Sequence, residues 1–266
     1  MSAGSFAAFP GAPHVGVLFV EAFGRLTRDT GRAGLASDEE DLYSIFRARA
    51  ELLGWSAPLG SSSSGQNTRP RPALWGLHEA ELSASNGTAR IGWVQVGLEP
   101  GIEPSQALPS LVQCFADALG RFGTVELSGL QVTASSLPAI GEPIAWDLIS
   151  GLNWFNIVPA GRTNAMIAFD SGLLQTGGDA DLLARLQHLN TGPFEFGPLV
   201  PASSEYAIEI PAEAPVTATL TPAPQCLSVT LPEWSAASAA WTLAIVIDLA
   251  RTGGTRAFAV RVTRGR

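Results

Sequence analysis

Few side chains in this sequence are equipped for chemistry. It holds three histidines, His14, His78 and His188, two cysteines, Cys114 and Cys226, and no lysine, so all 16 basic residues are arginine. Without an amine that can lose its proton there is no Schiff-base chemistry, and the P-loop, protein-kinase and serine β-lactamase signatures cannot operate in their usual forms. The histidines stand in neither H-x-x-x-H nor H-E-x-x-H spacing, and the cysteines form no C-x-x-C pair. No metal site and no cofactor is therefore expected. A nucleophile is equally hard to find, because no G-x-S-x-G elbow occurs and Cys114, beside Phe115 in a helical stretch, reads as a small apolar core residue.

Carboxylates remain, since acid–base hydrolysis needs only two of them. Asp147, Asp170 and His188 make up the catalytic alternative. Glu126 and Glu195 occupy equivalent places in two similar passages, where an alternating strand would show its polar face. Binding groups are better supplied. Trp146, Trp154 and Phe155 stand with Asn153 and Asn156 inside residues 146–156, and Trp234 offers a further aromatic anchor. Large rings give contact area and amides orient polar groups, the makings of a groove for a peptide or ligand.

The elements that position these residues are read from periodicity. Val15–Thr30 repeats apolar residues at three and four and predicts a helix. A second helix follows, opened by a Ser37/Glu40 capping box and closed at Gly54, so residues 1–55 form an N-terminal helical hairpin. Residues 56–72, rich in Ser, Gly and Pro, read as a flexible linker. Residues 73–266 then form an α+β domain, a mixed, largely antiparallel sheet with two covering helices. Its strands are Leu74–Leu82, Ala89–Leu98, Val125–Val132, Asn164–Phe169, Phe194–Val200, Glu205–Ile210, Val216–Leu220 and Cys226–Leu231, its helices Pro109–Arg121 and Asp179–Leu189. Thr242–Ala250 and Arg256–Thr263 alternate well and predict a closing hairpin. Shared letters suggest an internal repeat of 89–136 with 164–204, as two ferredoxin-like βαβ halves.

Composition bounds the function. The 266 residues carry a net charge of −8, which disfavours nucleic acid and anionic membranes as partners. No secretory leader is read at the N-terminus, and even Trp241–Leu249 is too short and carries Asp248, so a soluble, cytoplasmic protein is expected. In the absence of every compact catalytic signature, the leading expectation is a non-enzymatic role, binding another protein or a second copy of itself. The alternative is a metal-free enzyme or small-ligand binder with its pocket around 146–156.

Overall fold

The computed structural model describes residues 16–28, 41–56, 74–83, 89–135, 137, 161–169, 179–188, 193–201, 206, 208–210, 212–214, 225–252 and 257–265. In chain order the elements are β1 (Val17–Arg28), α1 (Leu42–Leu52), β2 (Trp75–Leu82), β3 (Arg90–Leu98), α2 (Pro104–Leu119), β4 (Gly123–Ser135), β5 (Thr163–Phe169), α3 (Asp179–His188), β6 (Glu195–Pro201), β7 (Gln225–Leu231), α4 (Ala236–Thr252) and β8 (Phe258–Arg264). The strands form a single sheet in the order β2-β3-β1-β4-β8-β5-β7-β6, antiparallel at every junction.

This overturns the expected fold class. Among the described residues the first element is a strand in the middle of the sheet, not a helical hairpin, and four helices rather than two cover an antiparallel sheet. The first error has a physical origin in burial on both faces. In β1, Leu18, Val20 and Ala22 face the helices while Phe19 stacks on Trp93 on the other side, with ring centroids 4.9 Å apart. A strand apolar on both faces contains the three-and-four spacing of a helix by default.

The C-terminal error is its mirror image. The segment expected as strand 242–250 lies inside α4, where Leu243, Ile245, Ile247 and Leu249 are all buried. A helix surrounded by neighbours shows no polar face, and its alternation was then misleading. Ser235 begins it by accepting a hydrogen bond from the Ser238 N–H, and its first turns are rich in alanine, the best helix former. Two smaller corrections concern helix starts and the late strands. Helix α2 begins at Pro104, with Pro109 inside it, and Asp41 rather than Ser37 caps α1, accepting from the Ser44 N–H at 2.7 Å. Residues 208–210 are irregular rather than strand, while 216–220, the Ser37/Glu40 box and all of the linker except Ser56 lie outside the described residues.

Connectivity divides the sheet into two units of identical order. β1-α1-β2-β3-α2-β4 pairs as 2-3-1-4, and β5-α3-β6-β7-α4-β8 pairs as 6-7-5-8. The units meet where β4 pairs with β8, Gly129 opposite Thr263 through Ala134 opposite Phe258. The expected match of 89–136 with 164–204 is therefore wrong. In this order β3-α2-β4 corresponds to β7-α4-β8, and the passage 164–204 corresponds to β1-α1-β2.

The helices lie in one layer, α1-α2-α4-α3, with α2 against α4 above the β4–β8 junction. Arg251 in the last turn of α4 pairs with Glu103 at the start of α2, so the two helices run antiparallel. Irregularities in β1's pairings set which side chains face which layer. Its pairing with β3 shifts between Ala22 and Phe23, and its pairing with β4 shifts between Phe23 and Gly24. The first shift turns Arg90 away from the helices, and the second puts Val125 and Leu127 on the same face as Leu130.

Gly24 permits the second shift, with φ at +143° and the carbonyl oxygen of Glu126 only 2.0 Å from where a Cβ would sit. Gly54 also has positive φ, +71°, but open space around it. Gly24→Ala is expected to cost more than about 2 kcal/mol in urea unfolding, against about 1 kcal/mol for Gly54→Ala, which bears backbone strain alone. Equal losses would show that the close approach at β4 is not what fixes Gly24.

Candidate functional site

Two places combine polar groups with enclosure, on opposite faces of the same strands. The first is a cavity of about 580 Å3 between α2 and α4. Its floor is Ala22 of β1 with Val125, Leu127 and Leu130 of β4. Helix α2 contributes Val112, Phe115, Ala116 and Leu119, the i, i+3, i+4, i+7 stripe that a helix presents on one face. Trp234, Ser235 and Ala236 at the start of α4 form the opposite wall, with Glu126 and Arg264 completing the lining. The Trp234 indole N–H donates to the Leu127 carbonyl at 2.7 Å, which fixes the ring at the pocket wall. That bond joins the start of α4 to the β4 strand, so the wall and floor are held together.

The second place is the face without described helices. Glu21 of β1 is 2% exposed and accepts hydrogen bonds from the Gln131 Nε2 at 2.7 Å and from Arg90 at 3.2 Å. Gln131 also donates to the Glu209 carbonyl at 2.8 Å, and Arg90 reaches Glu213 at 3.3 Å. On β8, opposite Gln131, the Arg261 guanidinium lies 3.9 Å above the Phe23 ring, a cation–π contact. Burial pushes the Glu21 carboxyl from 4.5 up to about 7, outweighing Arg90 and Arg261, which pull it down. Desolvation of the charged form is the larger effect because the carboxyl has almost no water. The same burial draws Arg261 below the ordinary arginine range.

The residues singled out in the sequence fare unevenly. Trp146, Asp147, Asn153, Trp154, Phe155, Asn156 and Asp170 lie outside the described residues. His188 ends α3 and is exposed, while Trp234 lines the cavity. Glu126 and Glu195 do not meet: β8, β5 and β7 separate their strands, four spacings or roughly 19 Å. Glu195 instead pairs with Arg162. Both cysteines are free and buried, with burial raising the Cys114 thiol to about 12 and Cys226 to about 11, so neither is a ready nucleophile. No group of three potential metal ligands occurs among the described residues. The Glu21 cluster is absent from the sequence-derived candidates. Its one signal was a lone acid inside the apolar run 17–23. No family model matches the chain, and neither a curated protein nor a solved structure matches it.

An acid whose folded pKa is raised binds its proton more tightly folded than unfolded. Its favourable contribution is thus complete below 4.5 and is lost as pH rises through about 7. The full shift corresponds to about 3 kcal/mol as an upper bound. In urea titrations, Glu21→Gln is expected to gain stability relative to the unsubstituted chain between pH 5 and pH 8. A constant difference across that range would mean that Glu21 is not the buried titrating acid.

Proposed function

We propose that this chain is a small-ligand-binding protein whose pocket between α2 and α4 takes a compact, predominantly apolar molecule. The observation that carries this is the 580 Å3 cavity itself, with its apolar floor and helix stripe and its anchored Trp234. That size falls within the range of small-molecule sites, and the mix of many apolar walls with a few polar groups is the usual composition of such sites. Ser235 and Arg264 supply polar contacts for one end of the ligand, and the Trp234 ring supplies flat contact area. Among the described lining residues the ionisable groups are Glu126 and Arg264, and we read the site as one for binding.

A protein-binding role is the second reading, favoured by one observation. Leu52 at the end of α1 is 78% exposed and borders a smaller groove with Ile45, Ala48 and Arg121, a place for another protein or a second copy. In both readings the partner is neither nucleic acid nor membrane, as the net charge of −8 suggests, and the location is cytoplasmic. No helix among the described residues is long and apolar enough to cross a membrane.

The test uses the neutral fluorescent probe N-phenyl-1-naphthylamine and the variant Ala116→Phe, which fills the cavity from α2 without truncating a core side chain. The probe is expected to bind the unsubstituted chain, and the variant to bind at least about tenfold more weakly, 1.4 kcal/mol, with its melting temperature nearly unchanged. Absent binding, or equal binding by a folded variant, would remove the ligand reading.

A further inference from the structure

Two charged residues border the α2–α4 cavity, Glu126 and Arg264, and the sheet register sends them to opposite faces. On β8, Val260 and Val262 lie in the main core, so the period of two puts Arg264 on their face, under the helices. Its cross-strand partner Ala165 belongs to that core as well. On β4, Val125 and Leu127 pack on the main core, as does Leu26, which pairs with Val125. The same alternation directs the Glu126 side chain to the reverse face. Arg264 is therefore the charged side chain that points to the cavity.

The neighbouring polar groups are already engaged. The Trp234 N–H donates to the Leu127 carbonyl at 2.7 Å. The Ser235 hydroxyl accepts from the Ser238 N–H at 3.1 Å and bonds the Ser238 hydroxyl at 3.2 Å, closing the start of α4. Arg264, exposed at the rim, forms no ion pair with another described residue. A guanidinium keeps its charge at any working pH, and its planar fork of donors matches a carboxylate through two parallel hydrogen bonds. The walls beside it are apolar, and the Trp234 ring, held by its hydrogen bond, offers a flat face.

Given the ligand-binding reading of the cavity, on which this rests, we propose that Arg264 makes the site selective for a small aromatic carboxylate. The rings lie between the α2 stripe and Trp234, and the carboxylate pairs with the Arg264 guanidinium. An amine in the same place would be repelled. The net charge of −8 slows an anion's approach, but at physiological salt exposed charges are screened beyond about 8 Å, so the group in contact decides the sign. A neutral molecule of the same shape keeps the ring contacts and loses the pair.

Displacement of N-phenyl-1-naphthylamine from the full chain by two ligands of one shape, 1-naphthylacetate and its neutral amide 1-naphthylacetamide, tests the pairing at pH 7. The acid is expected to displace the probe at a concentration at least about fivefold lower than the amide. Arg264→Gln removes the charge at an exposed position. It is expected to bring the acid to the amide's value and to leave the amide within about twofold, with the melting temperature nearly unchanged. Ala116→Phe should weaken acid and amide alike. Equal displacement by the two in the unsubstituted chain, failure of the acid to displace a bound probe, or a preference for the acid that survives in Arg264→Gln would overturn the selectivity while the pocket stands. A probe that does not bind, or that binds Ala116→Phe equally, would remove the ligand reading and the selectivity together.

Discussion

The pairing of β4 with β8 is the constraint from which the rest of the molecule follows. Each is the last strand of a β-α-β-β-α-β unit, and each would otherwise leave a row of unpaired backbone groups at an edge. Joined antiparallel from Gly129 opposite Thr263 to Ala134 opposite Phe258, they make eight strands into one sheet. The edges that remain are β2, flanked by α1, and β6, which carries Pro198 and Pro201. Proline withholds a backbone donor and so discourages further pairing at β6.

The seam also decides where the helices go. Both crossovers pass over one intervening strand on the same side of the sheet, α2 lying against β3 and α4 against β4 and β8, so joining the strands brings these two helices side by side. They pack closely at one end, where Arg251 meets Glu103, and part at the other, where Trp234 stands on β4 and the cavity lies. Neighbouring residues of one strand then serve two different environments. Ala22 and Leu130 line an apolar cavity, while Glu21 and Gln131, one position away, build a buried polar cluster on the reverse face. The period of two in a strand, shifted by the bulges beside Phe23, is what separates them.

What the sequence disclosed follows the same physics. Elements with one buried and one wet face were legible, such as α2 with its apolar stripe. Of the elements buried on every side, β1 was misread as a helix and α4 as a strand, because periodicity reports a difference between faces and they have none, whereas β3, equally buried, was read correctly as a strand. The cavity was visible only through Trp234 and part of the α2 stripe, since Ala22, Leu130 and Arg264 reach it from distant parts of the chain. Glu21, Arg90, Gln131 and Arg261 come from four different strands, and only the register brings them together. A charge within an apolar run marks a buried acid, but it does not name its partners.

The central claim is that the β4–β8 seam fuses both units into one cooperative body. Hydrogen exchange at increasing urea concentrations measures it most directly, through the slowest amides of β1 and β4 on one side and of β5 and β8 on the other. One common free energy of opening, with one common dependence on urea, is expected for all four strands. Two separate values, with β5 and β8 opening while β1 and β4 stay protected, would contradict it.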